Sequence, residues 1–156
     1  MILDTQNRFT GAVAGAGQSI AAVVSDVISI DVVDTQGVPN PNQNVDKGIG
    51  EAITLAVYTR AAVTSGGAAT VQFILQSDDN VGFASPREFP LTAALALAAL
   101  TANTLQYRGA LPQGIERFIR VVARIAVATT TGGSMEAFVA KDLADTRNYA
   151  SGFVVA

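Results

Sequence analysis

The feature that most constrains this chain is a strict alternation of side-chain type. From Ala69 to Ser77 it reads A-T-V-Q-F-I-L-Q-S, placing Val71, Phe73 and Leu75 on one face and Thr70, Gln72 and Gln76 on the other. A period of two is strand geometry, because successive side chains of an extended backbone point to opposite faces. Glu51 to Thr59 repeats it, with Ile53, Leu55 and Val57 opposed to Thr54 and Tyr58. Arg117 to Val127 sends Ile119, Val121, Ile125 and Val127 inward and turns Arg120 and Arg124 to the opposite face. Ser134 to Ala140 is a shorter version, with Phe138 and Val139 on opposite sides. Ser19 to Val24 and Val27 to Val33 add runs of β-branched residues suited to a pleated sheet.

Turn residues separate these runs. Ser65-Gly66-Gly67 and Thr131-Gly132-Gly133-Ser134 read as hairpin connections. Ser77-Asp78-Asp79-Asn80, Leu111-Pro112-Gln113-Gly114 and Gly37 to Asn42 read as turns or loops. Strands and turns at this density predict an all-β, single-domain jelly roll or antiparallel β-sandwich. One segment breaks the pattern: Leu91 to Ala102 is rich in Ala and Leu, and propensity predicts a short helix over Thr92 to Ala99. The ends differ from the middle. Residues 1–18 form a small-residue N-terminal arm, 19–140 the β domain, and 141–156 a mixed C-terminal tail. Both extensions are expected to order against a neighbouring subunit.

Composition then removes most chemistry. The 156 residues contain no His and no Cys, which excludes imidazole acid–base catalysis, thiol nucleophiles, disulfides and nearly all zinc or copper sites. No cofactor is expected. Charged residues are 15%, against about a quarter in an ordinary soluble domain, so part of the surface is expected to lie against a partner. A formal net charge of −3 argues against nucleic-acid binding, which needs a basic stripe. The N-terminus has no basic segment of the signal-peptide kind, and Gly11 to Val33 carries too many polar and charged residues for a membrane span. A protein made in the cytoplasm, with no membrane partner, is expected.

The remaining motifs are weak. Asp46-Lys47-Gly48-Ile49-Gly50-Glu51 has the look of a phosphate-binding glycine loop, but its Lys precedes the glycines and a strand follows, so it reads as a turn or bulge. Ser77-Asp78-Asp79-Asn80 lacks the spacing of a calcium loop and reads as a side-chain-capped turn. The 13 carboxylates show no convergence and come with no Trp and only 3 Tyr, which disfavours a sugar-cleaving cleft. Ser and Thr have no base to activate them. Arg120 and Arg124 share a strand face and are candidates for pairing with carboxylates of a partner; a solvated outer face is the plainer alternative.

Five stretches, taken in order, carry a family resemblance. They are Met1-Ile2-Leu3-Asp4, Asp46 to Glu51, Leu75 to Asn80 with Phe83 shortly after, Leu111 to Arg120, and the Thr/Gly-rich run before the last strand. Together they resemble the capsid cement (decoration) proteins of tailed bacteriophages related to a Bordetella phage. The resemblance implies a jelly-roll homo-oligomer, a dimer or trimer, seated on the outside of a mature icosahedral head, bound to the major capsid protein and without enzyme activity. The loop from Asp34 to Val45 and the tail after Lys141 depart from that pattern. The partner-contact candidates are Ile2, Leu3 and Phe9 of the arm from Met1 to Thr10, Pro39 and Asn40 of the loop from Gly37 to Asn44, and the Arg120/Arg124 face. The alternative is a carbohydrate- or receptor-binding β-sandwich module on the phage particle, which scarce aromatics disfavour. An enzyme comes third.

Overall fold

A computed structural model describes residues 7–11, 17–22, 24–35 and 53–140 of the chain. The alternating segments form two antiparallel sheets packed as a sandwich. One sheet has the order β1 (Gln18–Ser19), β10 (Thr130–Ala140), β4 (Thr54–Ser65) and β8 (Thr104–Ala110). The other has the order β2 (Asp26–Ile28), β9 (Phe118–Ala126), β5 (Thr70–Asp78) and β6 (Arg87–Pro90). Two short strands complete the second sheet: β3 (Val33–Asp34) pairs with β9, and β7 (Leu95–Ala96) pairs with β5.

The inward faces are those the period of two predicts. Val71, Phe73 and Leu75 of β5 lie opposite Ile125, Ala123 and Val121 of β9, and all are buried. Leu55 and Val57 of β4 lie opposite Val139 and Ala137 of β10 and close the core from the other sheet. Each fully buried side chain of the Leu, Ile, Val or Phe kind contributes about 1.5–3 kcal/mol relative to an exposed one.

Four local expectations are corrected. The segment expected to be helical over Thr92 to Ala99 is split between β7 and a 3-10 turn at Leu97–Ala99. Leu95 and Ala96 pair with Val71 and Thr70, and Leu100, fully buried, accepts the Val63 N–H at 3.0 Å. Sheet pairing and burial outweigh a propensity too short-ranged to hold an isolated helix. Gly132 and Gly133 do not turn the chain but lie inside β10, where the register against β4 shifts repeatedly. Gly133 has φ +119° and its missing Cβ would stand 2.8 Å from the Val63 Cα, so the pair forms a bulge that only glycine fits. The turn itself comes earlier, at Val127. Its φ is +72°, the Ala128 N–H donates to the Ala126 carbonyl at 2.9 Å, and its side chain is 73% exposed rather than inward. That is a γ-turn of the rarer, strained hand. The strands expected over Ser19 to Val24 and Val27 to Val33 shorten to β1, β2 and β3 because the chain bends between them.

The described part of the N-terminal arm also differs from expectation. It is held by this chain itself, between the two sheets. Arg8 forms an antiparallel bridge with Phe138, the Phe9 N–H donates to the Ala137 carbonyl at 3.0 Å, and the Asp31 N–H donates to the Phe9 carbonyl at 2.9 Å. The Gly11 N–H donates to the Asp31 carboxylate at 2.8 Å. Gln18 then behaves like a strand residue: its carboxamide accepts the Ile30 N–H at 2.8 Å and donates to the Ile28 carbonyl at 2.6 Å. One side of the sandwich is thereby closed, which leaves the backbone of the second sheet's β2 edge satisfied at that point.

Candidate interaction surface

The outward face of the second sheet is built from the side chains that alternate with the core. Arg124 lies between Asp26 on β2 and Gln72 on β5, and Arg120 lies beside Gln76, which in turn lies beside Glu88 on β6. Arg124 donates through Nε and Nη2 to Asp26 at 2.9 and 2.8 Å, and through Nη1 and Nη2 to Glu88 at 3.1 and 2.8 Å. Gln76 Nε2 donates to Glu88 at 2.8 Å, and Gln76 Oε1 accepts Arg120 Nε at 2.8 Å. A continuous polar network therefore runs from Asp26 to Arg120.

This network explains two buried apolar residues on the wrong side of the sheet. Val122 and Ile74 face outward with Ile28, yet neither retains appreciable exposure. The Glu88–Arg124 bridge joins the rows on either side of them and so spans the row in which the pair sits. Hydrogen bonds from Arg124 and then Gln76 hold the Glu88 carboxyl below its ordinary range. Two carboxylates hold the Arg124 guanidinium above its own.

At one end of this face, Asp78 organises a loop. Its carboxylate accepts the N–H groups of Asn80 and Ser85, each at 2.9 Å, and those bonds lower its pKa. Phe83, buried and at φ +50°, lies under Arg120, whose Cζ stands 4.0 Å from the ring centroid. Burial pushes the Arg120 guanidinium pKa down, although arginine remains a cation. Arg117 is paired separately, bidentate to Asp34 at 3.1 and 2.9 Å.

The first sheet carries a second polar cluster on its outward face. Glu136 of β10 accepts Arg8 Nη2 at 2.7 Å and also pairs with Arg60 Nε, and Arg60 lies over the Tyr58 ring. Tyr58 and Phe138 stack at 5.9 Å beside them. Arg124 on one outward face, and Arg8 and Arg60 on the other, are thus paired within the chain. Exposed apolar side chains lie at and just after the end of β2, at Ile28, Ile30 and Val32, with Ile30 67% exposed, and Val24 and Val127 are exposed as well.

The partner-contact candidates separate on these facts. Phe9, expected at a docking arm, is fully buried and packs in this chain's own core, so its side chain offers nothing to a partner. Arg124 is engaged by Asp26 and Glu88 of its own chain, and Arg120 is brought into the same network. Ile2, Leu3, Pro39 and Asn40 lie outside the described residues, as does the Asp46 to Glu51 run. The alternation pattern did not single out Glu136, Gln18, Glu88 or Phe83. A lone acid in the apolar run Met135-Glu136-Ala137-Phe138 is a usable signal for a buried ion pair; Phe83 is marked only by the family resemblance, and nothing local announces Gln18 or Glu88.

Among the described residues no group of His, Asp, Glu or Cys has metal-binding geometry, and no helix is long and apolar enough to cross a membrane. No curated protein matches the chain. The profile of the Bbp16 family, a phage protein family whose name comes from a Bordetella phage, matches residues 15–139. That span contains both sheets but for the last residue of β10, and the whole polar network of the second sheet, and the chain belongs to the Bbp16 family.

Proposed function

We propose that this protein is a non-enzymatic structural component of the phage virion that binds the outside of the mature icosahedral capsid and stabilises the lattice of the major capsid protein. Membership of a phage family and a β-sandwich fold support a virion role. The observation that carries a binding role is the exposure of the β-branched side chains Ile28, Ile30 and Val32 within one short stretch, with Val24 and Val127 exposed as well. Several large apolar side chains left exposed in one short stretch of a folded domain point to an interaction site.

The mechanism is linkage. A protein that binds only the assembled, expanded lattice adds its binding free energy to that state and to no other. A homo-oligomer whose symmetry matches the lattice engages several capsid subunits together, so modest contacts combine into tight retention. No cofactor, membrane or nucleic acid takes part. Heads with and without the protein, heated in parallel, test the reading. Heads carrying it are expected to release DNA at a higher temperature; equal release temperatures contradict a stabilising role.

A further inference from the structure

We propose that Arg120 is a receptor for a carboxylate side chain, Asp or Glu, on the protein surface that this chain binds; the identity of that surface rests on the virion reading above. Three arginines of the β9 region have different fates. Arg117 is bidentate to Asp34, and Arg124 is bidentate to Asp26 and bonded again to Glu88. Arg120 has no carboxylate at ion-pair distance among the described residues. Its Nε is taken by the neutral Gln76 carboxamide.

The surroundings hold Arg120 in place without an ion pair, and Asp78 and Asp26 act on its charge only at longer range. Phe83 supports the guanidinium from one side at 4.0 Å, and does so from a left-handed backbone that a side chain of its size rarely adopts. That conformation is maintained by the Asp78 bonds to Asn80 and Ser85, by the Gly82 N–H donating to Asn80 Oδ1 at 2.8 Å, and by the Phe83 N–H donating to the Asn80 carbonyl at 3.0 Å. Strain of this kind persists where the surrounding structure over-determines it, and it clusters at binding sites. With the ring on one face and Nε occupied, Nη1 and Nη2 remain as a parallel donor pair. That pair matches the two oxygens of one carboxylate. One guanidinium with one free donor pair suits a carboxylate better than a phosphate, which gathers several donors.

Arginine side-chain ¹⁵N spectra of the intact protein test this directly, with sodium acetate titrated against sodium chloride at equal ionic strength and sodium phosphate as a third arm. Saturable Nη shifts at Arg120, with Arg117 and Arg124 unmoved, are expected. No shift at Arg120, a shift no larger than that of the exposed Arg108 of β8, or saturation by phosphate at lower concentration than acetate overturns the proposal. Arg120→Lys keeps the charge and loses the paired donors. It is expected to weaken binding to expanded heads at least tenfold with an unchanged melting temperature, and wild-type affinity in this variant also overturns the proposal. Failure of the wild-type protein to bind heads counts against the virion reading instead, and the acetate titration then decides the role of Arg120 alone.

Discussion

Arg8 and Glu136, separated by 128 positions, meet at 2.7 Å with each side chain only 1% exposed. The contact ties the N-terminal segment to the last described strand, and Arg60 adds a second cation to the same carboxylate. A buried ion pair adds little net stability compared with apolar residues of the same volume, yet breaking it leaves an uncompensated charge out of water. Glu136 therefore specifies where residues 7–11 lie more than it strengthens the fold.

Replacing Glu136 by Ala is expected to lower unfolding stability by about 3–5 kcal/mol, because Arg8 and Arg60 both lose the buried carboxylate they bond. The double variant Arg8→Met, Glu136→Leu is expected to recover most of the loss. Urea denaturation of the three proteins measures this, and a double variant no more stable than the single one contradicts the account.

Arg124→Glu places a third carboxylate beside Asp26 and Glu88 and uncovers Val122 and Ile74. The site is more than one-third exposed, so the cost is modest, about 1 kcal/mol. Any capsid-binding defect in this variant must therefore be compared with its urea midpoint. An unshifted midpoint would show that the network does not cover the two apolar residues.

Gln18→Ala frees the Ile28 carbonyl and the Ile30 N–H at a sheet edge that also carries exposed Ile30. Unpaired edges template association with further chains. The variant is expected to show more concentration-dependent self-association in sedimentation velocity than the parent, with circular dichroism unchanged. Identical sedimentation at all concentrations would remove the edge-capping role of Gln18.

Thr59 is buried and faces the core, and its hydroxyl has no hydrogen-bond partner among the described residues. Thr59→Val removes the unsatisfied group while keeping the shape, and is expected to raise stability by about 1 kcal/mol. A drop in melting temperature would mean that the hydroxyl is bonded after all.

Acid acts through Asp78 and Glu88, whose pKa values are depressed in the folded state by backbone N–H groups and by Arg124 respectively. A depressed carboxylate stabilises the fold above its unfolded pKa, about 4, and that contribution disappears as pH falls through the folded value. Stability is expected to decline below about pH 4, and Asp78→Asn with Glu88→Gln to flatten that decline. An unchanged acid limb in the double variant contradicts these assignments.

The sandwich was legible because side-chain period and sheet geometry are the same fact: Val71, Phe73 and Leu75 face the core for the reason that Gln72 and Gln76 do not. What escaped the sequence was decided at long range. Leu95 and Ala96 left their helical preference for pairing with β5, and Gly133 became a bulge because Val63 of another strand approaches it. The alternation placed Arg120 and Arg124 correctly on one face but had no means of distinguishing them. Their difference depends on Asp26, Glu88, Gln76 and Phe83, brought in from three other parts of the chain. Phe9, an apolar residue in a small-residue segment, carries no local mark of the strand that covers it.

The central claim is binding to the mature capsid, and co-sedimentation of the purified protein with matched phage heads lacking it tests that most directly. Expanded and unexpanded heads are compared at rising protein concentration. Saturable binding to expanded heads alone is the predicted result; absence of binding to either form would contradict the account.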